Sequence, residues 1–286
     1  VRRFVQQRWL VLMTVPALAT IIIFHYFPLY GIIVAFKNYK PVFGILGSDW
    51  VGLRYFEQFF QNAFAWRIIR NTLFLSLYSF IFSFPAPIVL ALLLNEVQNQ
   101  PFKKVVQTIS YLPHFISTVV VCSMTLLFLS RSNGVINNII ALFGGERRDF
   151  ISDPALFAPI YVISGVWQNL GWDSIIYIAA LSSVPVELYE AARIDGANRM
   201  GIVAHINIPM ILPTAIILLI LNTGSLLSVG FEKIYLLQNS LNLGVSRVIS
   251  TYTYEIGLEG GQFSYSTAIG LFNNIVNILF ILCVNA

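Results

Sequence analysis

Charge is what this chain has least of. Asp, Glu, Lys and Arg make up 10% of its 286 residues against 57% apolar, and the mean hydropathy is +0.76. Soluble domains carry roughly a quarter charged residues, so water is not the main solvent and no nucleic-acid partner is expected. Cysteine is scarce as well: Cys122 and Cys283 lie far apart in separate apolar runs. Neither a disulfide framework nor a Cys-based metal site is suggested by them, and they read as small buried hydrophobes. His25, His114 and His205 fall in three different segments without HxxxH or HExxH spacing. They read as ordinary interfacial or loop residues, and no metal is expected. No Gly-Lys pair occurs anywhere, which excludes a GxxxxGK[ST] phosphate loop; if ATP drives the protein, another chain binds it. A nucleophile elbow and paired catalytic carboxylates are missing too, so an enzyme is not expected and no cofactor is assigned to this chain.

What the chain has instead is long apolar runs. A spanning helix needs about 20 mainly apolar residues. Six stretches qualify, at roughly 9–27, 70–94, 105–129, 154–181, 211–229 and 263–286. The expected class is an all-α membrane protein with six transmembrane helices in a single domain over 1–286. The start, "VRRFVQQRWLVLMTVPALATIIIFHYF", has the basic and apolar regions of a signal peptide, but the apolar run continues past Ala19. A permanent first span is the better reading. With no initiator Met and no polar tail, both ends read as trimmed.

Spans two and four contain breakers or polar groups, "FSFPAPIV" at 82–89 and "VWQNLGWDS" at 166–174. Lipid does not tolerate unsatisfied backbone, so these helices are expected to face protein or a pathway. Placing Arg2, Arg3, Arg8, Lys103, Lys104, Arg193 and Arg199 inside gives the denser cytoplasmic charge and a cytoplasmic N-terminus. Two of the intervening loops carry amphipathic stretches, 53–66 and 133–145, read as short interfacial helices.

The segment "VPVELYEAARIDGANRMGIVAHINIPMILP", 184–213, breaks the apolar pattern. Burying Glu187, Glu190, Arg193, Asp195 and Arg199 at membrane depth would cost roughly 12 to 17 kcal/mol, so the segment lies outside the bilayer. Pro185 near a helix start, acids early and Arg193 late all suit the helix dipole. Asp195-Gly196 supplies a turn, a second short helix follows over 197–206, and Pro209 and Pro213 are expected to set the lead-in to span five. Ala191, Ala192 and Ala197 around the bend let another surface approach closely, which describes a docking bump.

"EAARIDGA" followed by "INIPMILP" closely resembles the EAA loop of ABC-importer permeases. "WQNLGWDSIIYIAALSSVPVELYEAARIDGA", "GSLLSVGFEKIYLLQN" and "VISTYTYEIGLEGGQFSYSTAIGLF" are similar to the polysaccharide and oligosaccharide branch of that family. The resemblance covers the chain from span one onward; Val203 departs from it, standing where the family often has Phe. It implies the type I ABC importer permease fold in a bacterial inner membrane. It also implies that the loop 184–210 is a cytoplasmic coupling helix, with Glu187, Glu190, Ala191, Ala192, Arg193, Asp195, Gly196, Ala197, Pro209 and Pro213 as coupling residues. The implied partners are a second permease subunit, two ATPase subunits carrying MgATP and an extracytoplasmic solute-binding protein. The implied substrate is an oligo- or polysaccharide, acidic ones such as alginate included.

A sugar path needs amides, hydroxyl partners and rings. Asn169, Asp173 and Tyr177 share one helical stripe in span four, with Trp167 and Trp172 nearby. Asn222 and Ser225 in span five, and Asn273 and Asn277 on one face of span six, complete the candidates, although such groups equally serve as helix-helix contacts. Arg67 and Arg70 suit either an anionic sugar or lipid headgroups. Two other classes stay open on the residues alone: a proton- or ion-coupled transporter using Asp173, and a scaffold with no cavity.

Overall fold

The computed structural model describes residues 8–285 except 225 and 228. Helices dominate, in chain order α1 (Arg8–Ile21), α2 (Arg54–Gln61), α3 (Ala65–Ser83), α4 (Pro85–Glu96), α5 (Gln100–Tyr111), α6 (Thr118–Leu129), α7 (Val135–Leu142), α8 (Pro154–Ser182), α9 (Val186–Ile194), α10 (Arg199–Ile202), α11 (Ile208–Thr223), α12 (Phe231–Leu237), α13 (Ile249–Tyr254) and α14 (Phe263–Asn285). One small antiparallel ladder pairs β1 (Lys37–Asn38) with β2 (Asp49–Trp50). Among the described residues, four helical runs are long and apolar enough to cross a membrane: 12–36, 65–96, 199–223 and 263–283. Two bent pairs qualify if each counts as one span, giving up to six.

The described residues form two compact units, one of residues 8–65 with 252–274 and one of 66–251 with 275–285. Aromatic rings hold the first together. Phe59 on α2 is buried against Phe60 and Phe272, while Phe36 stacks on Trp50 at 5.7 Å. Asn62 Nδ2 donates to the Tyr252 hydroxyl at 2.9 Å, and the Tyr39 N–H donates to Ser264 Oγ at 2.9 Å.

The second unit is organised on α8. Asp153 caps that helix by accepting from the Ala155 N–H at 2.9 Å, and Pro154 takes the first-turn position where its missing N–H costs nothing. Its 29 residues extend about 43 Å, enough to cross a bilayer with some tilt. Gly171 lets α5 approach closely, because a Cβ there would overlap the Ser110 carbonyl. Two apolar clusters pack against α8. Near its start, Phe157, Tyr161 and Val162 meet Leu75, Cys122, Ile234 and Val248. Near its end, Tyr177 and Leu181 meet Ala91, Ile211 and Ala215.

Two spans differ from the pattern read in the sequence. The run 105–129 is not one straight helix: α5 and α6 meet at a 101° bend across a 3-10 turn, 112–115. Pro113 removes a donor there, and Ser117 Oγ restarts the chain as the N-cap of α6, accepting from the Val120 N–H. Span five also shifts. Its helix runs continuously from Arg199 to Thr223 instead of beginning at 211 behind Pro209 and Pro213, and 197–206 is not a separate helix. A π-turn at Val203–Asn207 joins α10 to α11, and its wider loop gives the Pro209 ring room that an α-turn would deny.

Candidate functional site

The charged segment is built from local signals. α9 begins after Pro185, carries Glu187 in its first turn and Arg193 in its last, and turns 71° away from α8. Gly196 closes it at φ +78, a left-handed conformation that a side chain would strain. There the Ala197 N–H reaches back to the Ala192 carbonyl at 2.9 Å and the Gly196 N–H to Arg193 at 3.1 Å. Asn198 then caps α10 by accepting from the Gly201 N–H at 2.7 Å. Glu187, Glu190, Ala191, Arg193, Asp195, Gly196, Ala197, Pro209 and Pro213 are exposed, and Ala192 is half-buried. Ile194 and Met200, apolar yet 85% and 75% exposed, flank the bend.

Glu190 does not brace that bend; it is exposed and makes no hydrogen bond or ion pair among the described residues. The brace is the Tyr189 hydroxyl, which donates at 2.7 Å to Oδ1 of Asn207, a side chain fully buried inside the π-turn. α9 and the root of α11 are thereby tied as one piece.

A polar cleft opens along α8. One cavity of about 370 Å³ is lined by Asn169, Asp173, Gln168, Gly165, Ser83 and Lys233 among others. A second, of about 560 Å³, shares Asp173 and Ser83 and adds Trp172, Tyr177, Leu218 and Asn222. Asn169, Asp173, Tyr177, Trp172 and Asn222 are therefore brought together. Tyr177 is otherwise buried in the apolar cluster at the end of α8, whereas Asp173 is exposed to the cleft. Trp167, 46% exposed, does not line these cavities. Asn277 is buried, and its Oδ1 accepts from the Leu227 N–H at 3.1 Å, a packing contact. Asn273 is half-buried with an Oδ1 that meets no partner among the described residues. Ser225 lies outside the described residues. Arg67 and Arg70 stand at the start of α3, and Arg70 lines a separate cavity with Phe74, Tyr78 and Pro154.

The bend in span three contributes what the sequence pattern hid. His114, read as an ordinary interfacial or loop residue, stacks on Trp172 with centroids 4.4 Å apart and planes 4° apart, and its Nδ1 donates to Asn169 Oδ1 at 3.0 Å. Gln168 Nε2 donates to the Ile116 carbonyl at 3.0 Å. The break thus takes its partners from the polar face of α8, as irregular backbone at membrane depth requires. Pro113 and Ser117 were the visible signals of this break. Lys233 had none.

Comparison with known proteins gives one picture. Residues 1–286 match the family described as "Binding-protein-dependent transport system inner membrane component". The polygalacturonan/rhamnogalacturonan transport system permease protein YteP of Bacillus subtilis is 44% identical over 99% of this chain and 88% of its own. The chain also superimposes on a chain of a bacterial ABC transporter involved in the import of the acidic polysaccharide alginate, with TM-score 0.92 and 41% identity over 99% of this chain and 96% of that one. A second structure, of a bacterial alginate ABC transporter in complex with an alginate pentasaccharide-bound periplasmic protein, gives TM-score 0.92 and 41% identity over 99% and 95%.

Proposed function

Because this chain belongs to the family of binding-protein-dependent transport system inner membrane components, we propose that it forms one half of a saccharide pathway in which segment 184–210 receives the motion of an ATPase. The chain is a multi-pass inner-membrane permease subunit of a sugar-importing ABC transporter, has the type I importer fold and is not an enzyme; ATP is hydrolysed on a separate chain. A binding protein delivers its substrate, an oligo- or polysaccharide. A second permease subunit, two ATPase subunits and a cytoplasmic N-terminus complete the reading.

One observation carries it: both helices that leave the charged segment line the cleft. α8 supplies Trp172, Asp173 and Tyr177, and α11 supplies Leu218 and Asn222. The apolar cluster of Tyr177, Leu181, Ile211 and Ala215 packs these helices together between the segment and the cleft. Interiors packed this tightly transmit displacement instead of absorbing it, so moving α9 moves both walls, and access alternates. Exposed Ile194 and Met200 give the bump an apolar contact for a groove on the ATPase. Asn169, Asp173 and Asn222 hydrogen-bond sugar hydroxyls, and Trp172 offers a face for a sugar ring.

Purifying the full chain from its native membrane in mild detergent tests the assembly. A second permease and an ATPase are expected to accompany it, whereas recovery as a homo-oligomer free of any ATPase overturns the reading.

A further inference from the structure

Lys233 is 8% exposed, and its Nζ meets no hydrogen-bond partner among the described residues. Burial without a counter-charge penalises an ammonium strongly, so the surroundings of this one bear on what the cavity is for. The Tyr161 ring lies 5.0 Å from Nζ. Gly165 on α8 provides the space it occupies, because a Cβ there would stand 3.0 Å from Nζ. On the backbone side, the Cys122 thiol approaches the Lys233 carbonyl at 3.9 Å, pinning α12 to α6. A ring, a glycine and a fixed backbone thus place the ammonium at the wall of the 370 Å³ cavity.

The same wall bears Asn169, Gln168, Asp173 and Glu232. The two carboxylates are exposed, so they stay hydrated and have lone pairs to offer to hydroxyls. Gln168 and Asn169 already give part of their capacity to Ile116 and His114. Of the charged wall groups the ammonium is the buried one, answered by an aromatic face but by no hydrogen bond or ion pair among the described residues, and a neutral hydroxyl would give it a hydrogen bond without an opposite charge. A ligand that carries one carboxylate beside several hydroxyls answers the whole set, with a charge-assisted bond to Nζ and ordinary bonds to Asp173 and Glu232. That chemistry is a hexuronate unit.

We propose that Lys233 is the carboxylate-reading residue of the pathway, and that the cavity between α8 and α12 favours uronate-containing over neutral saccharides. This rests on the reading of the chain as a saccharide permease and adds to it the acid that the permease itself selects.

The test is uptake by the complete transporter in proteoliposomes, with its binding protein at one fixed saturating concentration. Two labelled substrates are compared: a uronate oligosaccharide and the same oligosaccharide with its carboxyls reduced to hydroxymethyl groups. The binding protein is common to every arm, so a change in the ratio between substrates reports the permease. Lys233→Gln and Lys233→Met are expected to lower uronate uptake about tenfold or more while changing that of the reduced sugar about twofold or less, with Lys233→Arg restoring the preference. Gly165→Ala, which crowds Nζ without removing it, is expected to shift the ratio the same way by a smaller factor. Should Lys233→Met carry the uronate sugar as well as wild type, or lose both sugars equally while still assembling, the ammonium serves packing on Tyr161 alone and the proposal is overturned. Failure of wild type to accumulate either sugar with ATP would instead overturn the saccharide-permease reading beneath it.

Discussion

The charged segment and the cleft on α8 are joined by α8 and α11 yet are made in opposite ways. Residues 184–210 take their shape from neighbours in sequence: a proline start, a glycine at φ +78, an asparagine cap. The cleft takes its shape from residues far apart, with His114 and Lys233 brought to α8 from positions tens of residues away. The first region is an exposed shape held by backbone and capping bonds between near neighbours. The second is an interior where most polar atoms are already answered, so the unanswered ones carry the information.

The sharpest break in this contrast is Gly196→Pro. Proline holds φ near −65°, which cannot meet +78, so the close of α9 would rearrange at a cost of about 1 to 3 kcal/mol. Uptake is expected to fall at least about tenfold while the chain still assembles and ATP hydrolysis continues uncoupled. Paired uptake and ATPase measurements read this directly, and retained coupling would mean that the shape of the bend is irrelevant.

Next in size is the brace between the segment and span five. Tyr189→Phe leaves the buried Asn207 without its 2.7 Å partner, for an expected loss of about 1 to 3 kcal/mol in stability. Adding Asn207→Leu removes the stranded amide and should recover part of that stability but none of the coupling. Thermal unfolding and uptake in the two variants separate these effects.

Gln168→Leu probes the other region. It strips the Ile116 carbonyl of its donor at the bend between α5 and α6, with an expected cost of about 1 to 2 kcal/mol. Hydrogen exchange should rise around 112–117 and leave α9 unchanged; exchange spreading to α9 would show that the two regions are not independently built. The smallest effect is expected from Glu190→Gln. That side chain is exposed and makes no bond among the described residues, so stability should stay within about 0.5 kcal/mol, and any loss appears only as weaker ATPase association.

Legibility in the sequence follows the same division. The apolar runs, the helix 186–194 and the turn at Gly196 could be read because periodicity, dipole preference and turn chemistry are local. The 101° bend at 112–117 was hidden because an apolar run of spanning length looks alike whether straight or broken, although Pro113 and Ser117 marked the place. Span five was placed about ten residues late because a π-turn leaves no compositional trace and two prolines imitated a boundary. On α8 the stripe Asn169, Asp173, Tyr177 followed from helical spacing alone. Lys233 did not, since nothing local in "FEKIY" marks its lysine as buried and only packing against Tyr161 and Gly165 encloses its charge.

The most direct test of the central claim, that motion received at 184–210 opens a saccharide pathway along α8 and α11, is accumulation of labelled oligosaccharide in proteoliposomes. The account predicts accumulation only when the partner permease, the ATPase and ATP are all present, and its loss in Gly196→Pro. Accumulation by this chain alone, driven by a proton gradient without any ATPase, would contradict it.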